Sequence, residues 1–299
     1  MFRDQIMAGL ASHSSFTPPT FYIFSAFGII ICHGEEEKRT MTKSSTTAAA
    51  FRAIAQARRS SRRFQPNRSI PPPILKDILN STLKSPSGFN MQPTQVLLVR
   101  DAELKSQLAN SAMLGPGNIF RTNDASALAV FLADLEPTKR FSRIQELESK
   151  AGVRDPNYMT SLPIATTFLL GQGHAATFAK QVATDLMSPM KAAPSIESVD
   201  IWSVKNTALL AQTFVYAATS HGLATCMMEG YDIRRVKEIL RVPDRYAVPL
   251  MCCVGYEYEN LEEVKRTPRL GMEEVVFGDT FGELLDLYEE EDEEKEDVI

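Results

Sequence analysis

An α+β chain is predicted by three observations. Four apolar runs have strand length, longer stretches carry apolar residues at helical spacing, and proline, glycine and aspartate punctuate the joins. With 299 residues and 44% apolar content, the chain can bury a full core without metal or disulfide staples.

The elements follow in order. Ala48 to Ala57 reads as a helix that stops at a cluster of arginines. Pro71-Pro72-Pro73 is a rigid lead-in whose last proline suits a helix start. Ile74, Leu75, Ile78, Leu79 and Leu83 then recur at helical spacing, and Pro86 to Gly88 ends that helix. Gln95 to Val99 reads as a strand, and Asp101 caps a short helix through Ala109. Ala127 to Ala133 is a second strand. Glu136 to Asp200 is long and mostly helical in pattern. Asp200 is the predicted N-cap of a helix over Ile201–Ser220, with Gly222 as its left-handed stop. Val204, Ala208, Ala211, Val215 and Ala218 make a small-residue stripe on that helix, which spacing alone suits equally to an intramolecular core or to a dimer interface. Ala224 to Glu229 and Tyr246 to Gly255 are further strands, and no internal repeat is visible.

The ends differ from the middle. Residues 1–48 read as a disordered leader, a targeting segment or a mis-extended start. Phe21–Cys32 is an apolar run of 12 residues, short of the roughly 20 needed to span a bilayer, so no stable membrane insertion is expected. Met41 opens a second plausible start, with an acid-poor, Ser/Thr/Ala-rich stretch after it. A cytoplasmic or mitochondrial location is expected. Residues 283–299 form an acidic tail, of which Glu289–Asp297 carries −7 of the −5 net charge and leaves the rest near +2. The cysteines, Cys32, Cys226, Cys252 and Cys253, show no C-x-x-C spacing and read as reduced structural thiols, with Cys226 the candidate for a reactive one. Adjacent Cys252 and Cys253 should face opposite sides of a strand.

Three short stretches carry the chemistry. Arg58-Arg59-Ser60-Ser61-Arg62-Arg63-Phe64 puts four positive charges in six residues. Arginine forks and a seryl hydroxyl suit a phosphate monoester. On residues alone the cluster reads as an anion site, a solvated helix end or a nucleic-acid patch. The absence of a second basic stripe or interleaved aromatics argues against nucleic acid. Pro86-Ser87-Gly88-Phe89-Asn90-Met91-Gln92-Pro93 is a polar turn leading into a strand. Met228-Glu229-Gly230-Tyr231-Asp232 puts a glycine where bare backbone can approach a flat ligand. A relaxed G-x-G-x-x-A match at Gly171–Ala176 lacks the βαβ surroundings of a dinucleotide site, and reads as helix packing with His174 in a core or at a rim. No zinc spacing, P-loop or nucleophile–histidine arrangement is found.

In this order, with Arg269 downstream, these stretches resemble the nitroreductase-like family of FMN-dependent oxidoreductases. The resemblance covers about residues 50–280. It implies a central mixed sheet flanked by helices, in a domain-intertwined homodimer, with residues 49–282 as the FMN-binding domain. It also assigns the small-residue stripe of Val204, Ala208, Ala211, Val215 and Ala218 to the dimer interface. Arg58, Arg59, Ser60 and Arg62 match the positions that hold the FMN phosphate, with Phe64 in the hydrophobic place after them. Arg269 matches the C-terminal phosphate contact, with Arg266 or Lys265 as its companion. Pro86, Ser87, Gly88, Asn90 and Gln92 match the stretch that lines the flavin from the partner subunit. Gly88 stands there in place of a common serine, which leaves only its backbone to make contact. Asn118 would read the pyrimidine edge and Arg121 would sit near N1 and C2=O. Glu229 and Gly230 would approach N5.

The implied function is an FMN-dependent NAD(P)H oxidoreductase. Hydride passes by ping-pong through flavin N5 from NADH or NADPH to a small electron-poor acceptor such as a nitroaromatic or quinone. Glu136–Asp200 would form the variable cover that selects the acceptor. The alternatives are a non-catalytic flavin-binding or sensor protein, or a reductive dehalogenase or ene-reductase of the same family. No catalytic acid or base and no metal is assigned by sequence.

Overall fold

The computed structural model describes residues 35–152, 154–170, 173–258 and 267–285. The leader before residue 35, Val153, Gly171, Gln172, residues 259–266 and the acidic tail after 285 lie outside the described residues. The chain divides into two compact units, residues 1–49 and 50–299.

Helix α1 (Glu35–Ala57) stops at the arginine cluster as expected but starts earlier than Ala48. Its Ser/Thr run at 44–47 costs only a few tenths of a kcal/mol per residue in a helix, too little to force a break. After it come α2 (Pro72–Thr82), β1 (Thr94–Val99), α3 (Ala102–Ser111), α4 (Pro116–Asp124), β2 (Ala127–Asp134), α5 (Phe141–Ala151), α6 (Pro156–Leu169), α7 (His174–Met187), α8 (Val199–Ser220), β3 (Ala224–Met228), α9 (Ile233–Leu240), β4 (Tyr246–Gly255) and α10 (Met272–Val275). The architecture is α+β, and Glu136–Asp200 is helical as its pattern predicts.

The four strands run in the order β1-β2-β4-β3, and every neighbouring pair is antiparallel. Among the described residues, the parallel component of the expected mixed sheet is one isolated bridge, Ser60 to Thr225. That bridge is the arginine segment laid against the start of β3.

Central strand β2 is buried along its whole length. Side chains alternate across a strand. Leu128, Val130 and Leu132 therefore face one core with Leu108, Val236 and Cys253. Ala127, Ala129 and Phe131 face another with Ile78, Phe214 and Cys252. The adjacent cysteines thus divide between the two faces. Phe131 meets Phe214 edge-on, with ring centroids 5.6 Å apart.

Buried Asp134 ends β2. Arg245 holds it with two bonds, Nε to Oδ1 at 2.7 Å and Nη2 to Oδ2 at 2.6 Å, and Arg140 Nε lies 3.2 Å from Oδ2. The Glu136 N–H also donates to Oδ1 at 2.9 Å. A carboxylate this deep needs that full set of donors.

Helix α8 departs from its expected start. Its N-cap is Ser198, whose hydroxyl accepts from the Ile201 N–H, and Asp200 lies in the first turn. Its small-residue stripe also divides. Ala211, Val215 and Ala218 are buried in this chain's own core, while Ala208 is exposed. The large exposed apolar side chains of α8 are Ile201 and Leu209. Ala211→Glu should therefore unfold the chain rather than merely dissociate a dimer. An unpaired buried charge costs several kcal/mol, about 3–5 when a partner is missing. A urea midpoint within error of the parent would contradict this placement.

Candidate functional site

The arginine segment is fixed by what it buries. Phe64 is wholly buried and pairs across to Glu257, Ser61 N–H donates to Thr225 O at 2.8 Å, and Gln65 N–H donates to Tyr256 O at 2.9 Å. With Ser61 and Phe64 inward, the guanidinium groups stay at the surface. Two of them meet acids. Arg59 lies 3.5 Å from Glu257, and Arg63 donates through Nε and Nη2 to Asp124 at 3.1 and 3.0 Å. Ser61 Oγ also donates to Glu257, at 2.8 Å. Among the described residues, Arg58 and Arg62 meet no acid. A cavity of about 210 Å³ lies beside Arg58 and Arg59, walled by Gly222–Ala224 and Glu257. Ser60 is exposed beside this cluster.

Helix α4 connects this cluster to the glycine turn. Near its C-terminal end, Arg63 pairs with Asp124 and lies 5.4 Å from the Phe120 ring centre. Near its N-terminal end, Asn118 Nδ2 donates to Gly230 O and Leu114 O, both at 3.1 Å. Asn118 and Asp124 are about 9 Å apart along the axis at 1.5 Å per residue. A Cβ on Gly230 would come within 2.6 Å of Asn118 Nδ2, so no other residue fits there without moving the amide. The turn is tied down by Leu114 N–H to Gly230 O at 2.9 Å and Asp232 N–H to Ala112 O at 2.7 Å. Glu229 leaves β3 exposed at the turn.

Between these ends stands Arg121. Its Nη1 donates to Asn118 Oδ1 at 3.0 Å, while its Nε is buried without a hydrogen-bond partner. A buried guanidinium N–H in that state calls for an acceptor. Lys105 is buried beneath the same helix. Its ammonium donates to the Asn123 and Ala125 carbonyls at the α4 C-terminus.

The polar turn is built from different neighbours. Ser87 Oγ accepts from the Gln92 N–H at 2.9 Å, and Asn90 Nδ2 donates to Glu148 Oε1 at 2.8 Å. Phe89, Asn90 and Gln92 all adopt positive φ. Pro86 lines a cavity of about 200 Å³ with Ser85, Ser87, Gln92, Arg140 and Asn206. The Gly88 N–H donates to Asn206 Oδ1 at 2.8 Å, so the backbone donor expected to serve a ligand is used within the chain. A Cβ at Gly88 would meet the Trp202 ring at 3.1 Å. That indole explains the glycine.

The structure therefore brings together Arg58, Arg59, Ser60, Arg62, Asn118, Arg121, Glu229 and Gly230. It does not bring Pro86–Gln92 to them within one chain. Edge strand β1, which follows that turn, lies three strand spacings, about 14 Å, from edge strand β3. Among the described residues Arg269 makes no hydrogen bond or ion pair with the arginine cluster. Arg269 is exposed and bonds its own neighbours, Thr267 Oγ1 at 3.1 Å and Pro268 O at 3.2 Å. Arg266 and Lys265 lie outside the described residues. The G-x-G-x-x-A match follows helix α6 rather than a strand, which removes a dinucleotide turn, and His174 is exposed at the start of α7.

Sequence reasoning missed Glu257, Asn206 and Trp202. Glu257 sits two residues past β4, where its carboxylate meets the arginines. Asn206 and Trp202 are four apart on α8. The available signal was Gly88 itself, since a glycine in a polar turn marks a close neighbour.

The thiols are not poised nucleophiles. Burial raises Cys226, with partial relief from Arg121. Burial pushes Cys252 well up and Cys253 up to about 12, and it also raises Tyr231. These groups fold neutral, whereas an unfolded thiol ionises near ~8.5. Their stabilisation is complete below that pH and is lost as pH climbs through the raised values. Burial lowers Lys105, which acts with the opposite sign, but one amine stands against three thiols. The urea midpoint should fall between pH 7.5 and pH 10, and a midpoint that holds or rises would refute this.

The chain is similar to known proteins. The Nitroreductase family model matches residues 55–256. An NADH dehydrogenase of Thermus thermophilus is 28% identical over 225 residues, 75% of this chain and 94% of its own. A Bacillus subtilis protein assigned as an NAD(P)H nitroreductase is 23% identical over 209 residues, 70% of this chain and 89% of its own. A structure from Exiguobacterium sibiricum, assigned as a nitroreductase and solved with FMN, superposes with a TM-score of 0.56 at 20% identity, covering 75% of this chain and 95% of that one.

Proposed function

This chain belongs to the nitroreductase family of oxidoreductases, and from that premise we propose that it is an FMN-dependent NAD(P)H oxidoreductase acting by ping-pong on a small electron-poor acceptor such as a nitroaromatic or quinone. One observation carries the proposal. Helix α4 is tied at one end, through Arg63, to the cluster in which Arg58 and Arg62 meet no acid among the described residues, and at the other to bare Gly230 backbone, with the unfilled Nε of Arg121 between. The FMN bound to the Exiguobacterium relative and the nicotinamide names of the curated relatives support the same reading. We take residues 49–282 as the FMN-binding domain.

The residues fit the cofactor group by group. Arg58 and Arg62 would hold the phosphate, with Ser60 donating from its hydroxyl. Arg59 would contribute less, because Glu257 already engages it. Asn118 would face the polar edge of the ring, and the missing side chain at Gly230 lets the ring approach the backbone. Arg121 would set a fixed cation where reduction leaves negative charge, which favours the reduced state. FMN, when bound, would supply the two-electron chemistry, and the protein would supply orientation and charge.

A homodimer completes the site in this reading. Pro86–Gln92 lies too far across the sheet to meet the ring beside its own Gly230, so it would serve the partner's site. The C-terminal segment suits such an assembly, since Phe281, Leu284 and Leu270 are 92%, 77% and 66% exposed. Arg269, bonded here to its own neighbours, would leave them to contact the phosphate of its own chain or of the partner. Helices α5–α7 would form the cover that selects the acceptor.

The purified chain should be yellow, and NADH or NADPH should bleach it without oxygen. An acceptor should then restore the colour. Bound flavin that neither nucleotide reduces would show a passive binder instead. The double variant R58A/R62A should lose FMN. Two charge-assisted contacts at about 1.5–3 kcal/mol each amount to two to four orders of magnitude in Kd. Stoichiometric FMN after long dialysis of that variant would end the phosphate assignment.

Arg121→Ala should keep some FMN but shift its reduction potential downward, because anionic reduced flavin loses its partner. Spectroelectrochemistry reads this directly, and an unchanged potential would remove Arg121 from the ring.

A further inference from the structure

Trp202 is 7% exposed. Its indole nitrogen has no protein acceptor among the described residues and is not one of the fully buried unpartnered atoms, so it stays open to an acceptor from outside the chain. The edge of the ring that carries it lies against Gly88. A Cβ built there would meet Nε1 and Cζ2 at 3.1 Å and Cε2 at 3.3 Å. Residue 88 can therefore present no side chain on that side, and its own N–H is committed to Asn206 Oδ1. At residue 88 the free donor is the indole; Arg140 Nη2 and Ser85 Oγ, which line the cavity beside the turn, are also without partners among the described residues. The indole is fixed from behind, since Trp202 packs with Met91, Leu170, Phe89 and Phe141, and the Trp202 carbonyl accepts from Asn206 Nδ2 at 2.7 Å.

We infer that the Trp202 indole N–H donates a hydrogen bond to a carbonyl or ring nitrogen of the bound flavin. This rests on the reading that Pro86–Gln92 lines the flavin. The ligand class follows from the donor: a flat heterocycle with an acceptor on its rim can lie along a turn with no side chain at Gly88 and meet an N–H in the plane of a buried ring. Trp202 is then a binding residue, and Gly88 is the space it requires.

Trp202 is the chain's only tryptophan, so the full-length ¹⁵N-labelled protein has one indole N–H cross-peak. Flavin is removed and FMN is titrated back, with binding followed independently by quenching of flavin fluorescence. The cross-peak should shift, and its exchange with water should slow, in step with saturation. A peak unmoved at saturating FMN overturns the inference while leaving the functional reading intact. Failure of the wild type to bind FMN at all overturns both.

Substitution gives a second reading. Trp202→Phe keeps an aromatic ring but removes the donor and the atoms nearest Gly88. It should weaken FMN binding about fivefold, as expected for one lost neutral hydrogen bond. Gly88→Ser alone should also weaken binding, by displacing the indole. The double variant W202F/G88S puts a hydroxyl into the vacated space and should recover affinity towards the wild type. Equal affinity in W202F and wild type, or no recovery in the double variant, would show Trp202 to be packing only. If W202F does not fold, the cross-peak alone decides.

Discussion

The candidate site depends on how helix α4 is clamped. One short helix is held near both ends by side chains from distant regions of the chain. Arg63 takes Asp124 with a forked pair, and Gly230 takes the Asn118 amide in the space a Cβ would fill. Lys105 adds a buried ammonium under the last carbonyls, where a cation meets the negative end of the helix dipole. None of these contacts would be strong alone. Together they leave α4 little freedom to slide or turn, and Arg121 rides on it. A guanidinium with an unfilled buried N–H keeps a defined direction only if its helix does. The glycine thus has a structural task before any ligand arrives.

A second clamp, at the opposite end of the sheet, serves the polar turn. Asp134 is fully buried at the exit of β2, and its carboxylate gathers Arg245 and Arg140. Arg140 also donates to Gln92 O at 2.8 Å. The positive-φ turn is thereby tied to the most buried charge among the described residues, and Glu148 ties it to helix α5 through Asn90. Positive φ at three non-glycine residues is costly and persists only where surrounding contacts over-determine it. Two rigid half-sites at separated edges of one sheet make chemical sense if each completes the other's in a pair of chains.

The fold was legible where the signal was local and periodic. Strand β4 lies where its apolar run placed it, Asp101 caps α3 as read, and the Cys252–Cys253 pair divides between faces because strand periodicity admits nothing else. The reading of α8 failed for a physical reason. Small residues at helical spacing pack equally well on a sheet of the same chain or on another subunit, and here the alanines of β2 receive Ala211 and Ala218. Ser198 displaced Asp200 as the cap because both are good caps two residues apart. In the site, arginines in a row and a glycine turn were visible. Their acids were not, because Asp124 and Glu257 meet them only through the folding of distant segments.

Those acids carry the electrostatic argument further. Four arginines in six residues repel one another, and the folded chain relieves this by giving Arg59 to Glu257 and Arg63 to Asp124. Among the described residues two charges remain without an acid, on Arg58, which lines a cavity of about 210 Å³, and on exposed Arg62. A phosphate monoester carries a charge of about −1.5 to −2 near neutral pH. The uncompensated charge therefore matches one such group, whereas a polyanion would need a longer basic track. The paired arginines then have a different use. They fix the direction of the backbone at residues 59 and 63, so Arg62 between them and Arg58 beside Arg59 would meet the proposed phosphate with less freedom to lose.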